Sequence, residues 1–233
     1  MKIGILGTGI VARTLAAKLA EREQDVMLGT RNVARTMERR ADDVYGNPPF
    51  RVWRGQHPDV ELGTFAESAE HGELVGHATA GAVSLEALNL VGEEHLDGKV
   101  LVDVSNPLDF SRGFPPSLTV CNTDSLAEQI QRAFPRARVV KTLNTTNAYV
   151  MVNPREVADG DHHVFVSGND AEAKAQVTDL LKDWLGWKHV IDLGDITTAR
   201  GVEMLLPLWI QLRGAIQSPM FNFKVVAAGR PQP

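Results

Sequence analysis

Cysteine is almost absent from this sequence: Cys121 is the one thiol in 233 residues. That excludes a disulfide within the chain and agrees with a reducing compartment. Nothing near Cys121 signals a lowered pKa, so it is expected to be a small buried apolar residue. Long apolar runs are missing too, which argues against a membrane span. The short run after Lys2 leads directly into a glycine turn and does not read as a signal peptide, so a cytoplasmic location is expected. There is no basic excess: the net charge is −5, with signs mixed along the chain, and no partnership with nucleic acid is expected. The histidines lack ligand spacing. His162 and His163 are adjacent and would point to opposite faces of a strand, while His57, His71, His95 and His189 fall in loops or at helix ends. No metal site is expected.

What is present is ordinary for a globular enzyme: 43% apolar and 23% charged residues, in a chain long enough for a good core and at most two small domains. The first thirty residues carry the clearest signal. Lys2 to Leu6 is a short branched apolar run, read as a buried strand. Gly7, Gly9 and Ala12 follow as G-x-G-x-x-A, then a helix with Val11, Leu15 and Leu19 on one face. A second strand runs from Asp25 to Leu28. This strand–turn–helix–strand context turns a weak glycine motif into a dinucleotide-binding one. Gly7 permits the sharp turn, and Gly9 keeps side-chain bulk away from a pyrophosphate. The unpaired N–H groups and positive dipole end of the following helix receive the anion, which makes Thr8, Ile10 and Val11 candidate cofactor contacts beside the two glycines.

The residues after the second strand bear on which dinucleotide is bound. An NAD site usually places Asp or Glu there, whereas this chain has Gly29-Thr30-Arg31-Asn32 and, one turn on, Arg35. Guanidinium groups pair with a 2′-phosphate, and Thr30 and Asn32 can add neutral donors. NADP(H) is therefore expected over NAD(H), the plainer alternative being a solvated helix start.

Further along, a helix-prone segment covers Val33 to Val44, and Phe50 to Pro58 reads as a loop anchored by Trp53. A strand at Val60–Leu62, a helix at Phe65–Glu70 and a strand at Leu74–Ala78 follow. A helix from Ser84 to Leu96 precedes a strand at Lys99–Val104 that ends abruptly at Pro107. Leu118 to Cys121 is a brief strand or extended loop. Asn122 to Asp124 should cap a helix through Phe134, and Arg138 to Leu143 is again a strand. Such alternation predicts a Rossmann-type, doubly wound, mostly parallel sheet, with ligands beyond the carboxyl ends of its strands. Four strand ends then line one cleft: Gly7–Val11, His77–Gly81 with Ala78 and Thr79, Ser105–Pro107, and Asn144–Asn147. His77 reads either as a group that contacts a ring or relays a proton, or as a hydrogen-bonded strand-end histidine.

Residues 1–150 are thus expected to form the nucleotide-binding domain and 151–233 a small α/β extension. The extension should hold a strand at His163–Ser167, a helix at Asp170–Trp184 and a strand at His189–Asp192. It ends in a long helix from about Ala199 to Gln217 that is apolar nearly all round and so should be buried. Its own domain and a second subunit are the expected cover, giving a homodimer. Pro207 should kink this helix unless it lies in a first turn. Trp184 and Trp187 are expected in packing positions.

Taken together, these residues resemble the coenzyme F420-dependent NADP oxidoreductases, whose fold recurs in STEAP-type metalloreductases. The likeness rests on Ile3 to Gly9, Leu28-Gly29-Thr30-Arg31, Asp103 to Leu108, and Val140-Lys141-Thr142-Leu143-Asn144-Thr145. Glu203-Met204, Pro207-Leu208-Trp209 and Pro219-Met220-Phe221-Asn222 extend it to nearly the whole chain. It implies hydride transfer between nicotinamide and a deazaflavin, the protein holding two rings about 3–3.5 Å apart and excluding water. On this likeness Asn106 and Asn144 to Thr146 flank the nicotinamide, Pro107 belongs to the cofactor site, and the last helix and Phe221 wall the second ring. Two other readings stay open: an NADPH-dependent reductase of a flavin, quinone or small carbonyl or imine, and a non-catalytic NADP(H)-sensing module.

Overall fold

The computed structural model describes residues 1–43 and 46–228. Among these residues eight strands form one sheet: β1 (Lys2–Leu6), β2 (Asp25–Thr30), β3 (Glu61–Thr64), β4 (Leu74–His77), β5 (Val100–Asp103), β8 (Arg138–Thr142), β9 (His163–Ser167) and β10 (His189–Gly194). Their spatial order is β3-β2-β1-β4-β5-β8-β9-β10, which begins with the Rossmann order. All neighbours are parallel except β8 and β9. Two short strands, β6 (Leu108–Asp109) and β7 (Ser117–Leu118), form a separate antiparallel hairpin after Pro107. The strands beyond residue 150 thus continue the same sheet.

Helices cover both faces, and the buried side chains form two clusters to match. One joins α1 (Ile10–Glu21) through Leu15 and Leu19 to Ile3, Ile5 and Val102, and extends to Leu181 and Trp187. The other packs α4 (Phe65–His71), α5 (Ser84–Val91) and α6 (Leu126–Ala133) over Leu6, Val75, Leu101 and Val139. Each such Leu or Val contributes roughly 1.5–3 kcal/mol when fully buried. Local chemistry sets the helix starts. Thr64 and Glu67 form a reciprocal capping box on α4, and Ser125 caps α6 by accepting from the Glu128 N–H.

Several expectations are corrected. Phe50–Gln56 is a helix, α3, rather than a loop; Pro49 precedes it, and Phe50 anchors its first turn in the core. The Val33 segment forms only α2 (Val33–Glu38), and its expected end at Val44 lies outside the described residues. The Ser84 helix stops at Val91 because Gly92 adopts φ +91°, and a separate 3-10 turn, Glu93–His95, follows. Ser125, not the Asn122–Asp124 segment, is the cap of α6. A short helix, α7 (Ala148–Val152), was not anticipated; the Asn147 side chain caps it. Cys121 is exposed, in the loop that follows β7.

After α8 (Ala171–Asp179), the C-terminal helix is two helices, α9 (Ala199–Met204) and α10 (Leu206–Ile216). Pro207 stands in the first turn of α10, where a missing N–H does least harm. The chain's own fold buries Val202, Glu203 and Leu206 but leaves Leu208 and Ile216 about half exposed. Apolar composition therefore does not translate into burial here. Trp187 is buried and Trp184 packs against the same cluster. No described helix is long and apolar enough to cross a membrane.

Candidate active site

The strand register aligns four residues in one row across the sheet: Leu6 beside His77, His77 beside Asp103, and Asp103 beside Lys141. Registered neighbours on parallel strands present their side chains to the same face. The four strand ends read from the sequence leave the sheet just beyond this row, so the fold brings them to one edge.

At β1 the chain turns on Gly7, whose φ is +128°; an added Cβ would also stand 2.7 Å from the Ala78 carbonyl oxygen. Gly9 differs. It is in extended conformation, caps α1 without a side-chain hydrogen bond, and a Cβ there would meet nothing among the described residues within 4 Å. The free space before the α1 N-terminus is a cradle of the kind a pyrophosphate fills.

Two cavities adjoin this turn. A cavity of about 240 Å³ is lined by Gly7 to Gly9, Thr30, Arg31, Ala78, Thr79 and Val83. A larger one, about 890 Å³, opens on the other side of Arg31, with Arg35, Arg39 and Arg13 on its walls. Asn32 caps α2 by accepting from the Arg35 N–H, and the Thr30 hydroxyl is paired with that of Thr36 at 2.8 Å. The carboxylate that would oppose a 2′-phosphate at the β2 end is replaced by guanidinium groups on an exposed rim.

Arg13 belongs to this site and was missed from sequence. Its guanidinium donates to the Thr8 carbonyl at 2.8 Å and to that of Pro48 at 2.6 Å, and lies over the Phe50 ring at 5.4 Å. Burial draws its pKa down, against the pull of Asp43. It ties the glycine turn to α3. The available signal was one charge between the alanines of an otherwise well-buried helix face.

Across the cleft, Asn106 and Asn144 form a pair. Asn106 Nδ2 donates to the Asn144 carbonyl at 2.9 Å, and Asn144 Nδ2 donates to Asn106 Oδ1 at 3.0 Å and to the Val202 carbonyl at 3.1 Å. Leu143 adopts φ +59°, a left-handed conformation costly for a branched residue and concentrated at functional sites; it swings Asn144 back toward Asn106. Thr145 and Thr146 are buried beside them, and the Thr146 hydroxyl oxygen has no hydrogen-bond partner among the described residues. Gly81 serves packing: an added Cβ would stand 1.9 Å from the Asn106 carbonyl oxygen.

Below the pair lies an ion network. Lys141 Nζ is 2.9 Å from Asp103 Oδ2 and 2.9 Å from Glu203 Oε1, and donates to the Ser105 carbonyl at 2.6 Å. All three charged side chains are buried. Burial pushes Lys141 down, but the two carboxylates more than offset this and raise it. Burial likewise pushes Asp103 up, and Lys141 chiefly reverses that to leave it lowered. Three separate motifs of the sequence thus meet on one ammonium group.

His77 is fully buried. Its Nε2 lies 2.9 Å from the Ser84 hydroxyl and 3.3 Å from that of Thr79; Nδ1 has no hydrogen-bond partner among the described residues. Burial lowers its pKa to about 4, with Asp103 opposing and Lys141 assisting. The ring is neutral near neutrality and faces the second core layer. Among the described residues no three His, Cys, Asp or Glu side chains are grouped to hold a metal ion.

A family model described as NADP oxidoreductase, coenzyme F420-dependent, matches residues 2–107. A candidate F420-dependent NADP-reductase from Arthrobacter sp. FB24, with a crystal structure at 1.70 Å resolution, is 57% identical. It superposes with a TM-score of 0.93 over 97% of this chain and 100% of that one. The chain belongs to the F420-dependent NADP oxidoreductase family.

Metalloreductase STEAP3 from Rattus norvegicus is 32% identical over 213 residues, covering 89% of this chain and 38% of that protein. The chain therefore spans less than two-fifths of the curated relatives it matches. A reductive aminase from Aspergillus terreus, 15% identical with a TM-score of 0.60 over 93% of this chain and 62% of that one, shares the fold alone. The matched region runs from β1 and the glycine turn through Asn106 and Pro107. The segments Asp103–Leu108 and Val140–Thr145 hold the amide pair and most of the ion network below it.

Proposed function

We propose that this oxidoreductase passes hydride between NADP(H) and coenzyme F420. The observation that carries the reading is the chemistry of the four strand ends. His77 is the one ionisable side chain among Gly7–Val11, His77–Gly81, Ser105–Pro107 and Asn144–Asn147, and it is buried with a pKa near 4. Reduction of a carbonyl or imine calls for a proton as the hydride arrives, whereas transfer between two cofactor rings asks little acid-base work of the protein. The 57% identical Arthrobacter protein supports the same acceptor.

The residues fit the nucleotide. The open space at Gly9 and the N–H groups of Ile10 and Val11 hold the pyrophosphate; Arg31 and Arg35, with Asn32 and Thr30, hold the 2′-phosphate. Ala78, Thr79 and Gly81 border the nucleotide between these ends. Asn106, Pro107, Asn144 and Thr145 orient the nicotinamide and keep water from its face. When bound, NADP(H) supplies the hydride itself. Residues 1–150 carry the nucleotide on this reading, and 151–233 supply the acceptor side and a homodimer contact through the exposed apolar residues of α10.

The likeness to metalloreductases favours a second reading. A metal ion accepts single electrons, so hydride would first have to reach a carrier able to pass electrons singly, such as a flavin. Following NADPH absorbance with F420, FMN or representative carbonyl and imine compounds separates these. Consumption with F420 alone supports the first reading and preference for FMN the second. Turnover confined to carbonyls or imines overturns both.

A further inference from the structure

The amide pair of Asn106 and Asn144 is tied to the C-terminal helices through buried charge. Lys141 Nζ donates to the carbonyl of Ser105, the residue before Asn106. The same nitrogen contacts Glu203 Oε1 at 2.9 Å, and Glu203 follows Val202, whose carbonyl accepts from Asn144. Glu203 in turn accepts from the N–H groups of Leu126 and Ala127 at 2.8 and 3.1 Å, which pins α9 to the start of α6. Asp103 completes the set by accepting from both the N–H and the hydroxyl of Ser105 through Oδ1. An ammonium group with three donors suits three fixed oxygens from β5, the β5 end and α9.

We propose that Lys141 and Glu203 are positioning residues that set the Asn106–Asn144 pair against the nicotinamide and couple the C-terminal helices to that half of the cofactor. The inference rests on the reading that the nicotinamide lies at this pair. Neither residue needs to touch the ring. An apolar filling of the same volume could support the fold equally well, but it would not fix the Ser105 peptide, the Val202 carbonyl and the start of α6 relative to one another.

The test compares NADPH with 2′-phospho-ADP-ribose, the same nucleotide without nicotinamide, by titration calorimetry on the full chain. Glu203→Gln removes the charge facing Lys141 and keeps one acceptor oxygen, placed to meet Lys141 Nζ and the Ala127 N–H, so that the Leu126 N–H loses its acceptor; it is the milder variant, and Lys141→Met the stronger change. Both should weaken NADPH roughly three- to thirtyfold, with the fragment held within about twofold, which also shows that each variant is folded. Adding Asn144→Ala to Glu203→Gln should cost less than the product of the two single effects, because both act through one pair. Equal weakening of NADPH and fragment, or additive effects, would overturn the positioning role. If Asn144→Ala lowers the NADPH-to-fragment preference while Glu203→Gln does not, the coupling is wrong and the nicotinamide placement survives. If Asn144→Ala leaves that preference unchanged, both fall.

Discussion

A methyl group on Gly81 would stand 1.9 Å from the carbonyl oxygen of Asn106, whereas one on Gly9 would meet nothing among the described residues within 4 Å. The two glycines are therefore needed for different reasons. Gly81→Ala forces the β4 and β5 ends apart and should destabilise the fold by about 1–3 kcal/mol, as overpacking does. Gly9→Ala fits its backbone, φ −76° and ψ 179°, and should leave the melting temperature nearly unchanged. It fills the cradle, however, and should weaken NADPH by roughly 10- to 100-fold, the loss of one or two charge-assisted hydrogen bonds. Thermal unfolding beside calorimetry distinguishes the two.

Arg31 lines both cavities at the end of β2. Arg31→Ala should weaken NADPH roughly tenfold or more, the scale of one charge-assisted pair, and leave NADH within about twofold. Equal loss for the two nucleotides would remove the 2′-phosphate from this position.

His77 sets a pH dependence. Its folded pKa near 4 lies below the ordinary 6.5, so the unfolded chain binds the proton more readily. Above pH 6.5 the ring is neutral in both states. Between 6.5 and 4 stability should fall with pH by up to about 1.4 kcal/mol per unit, levelling off below 4. His77→Gln should flatten that interval of the wild-type curve in urea denaturation. An unchanged slope would show that the buried ring does not resist protonation.

Leu208 and Ile216 are about half exposed on α10. Arg at both positions should leave the fold's stability within about 0.5 kcal/mol, as for most surface changes. Wild type should sediment as a dimer at micromolar concentration and the double variant as a monomer. A monomeric wild type would end the homodimer reading.

Much of the fold was legible because it rests on short-range regularities. Lys2–Leu6, the glycine turn and the α1 stripe announce themselves through strand and helix periodicity, and the alternation of such units leaves few topologies open. Phe50–Gln56 was less legible, since its helix depends on an anchor in the distant core and not on its own polar pattern. Arg13 was missed because its partners, Thr8 and Pro48, are assembled only after α1 and α3 have packed. Cys121 was misplaced because one apolar thiol carries no periodicity, and its exposure follows from where the loop after β7 runs.

The sequence by itself determined the dinucleotide turn, the guanidinium-for-carboxylate exchange after β2 and the alternation that builds a parallel sheet. These are statements about neighbouring residues, and local backbone and charge chemistry suffice to make them. Only the tertiary structure decided that Asp103, Lys141 and Glu203 share one buried network, that Asn106 pairs with Asn144, and that His77 faces the core. Each of those depends on strand register or on a helix returning from the far end of the chain, where spacing along the sequence carries no distance in space.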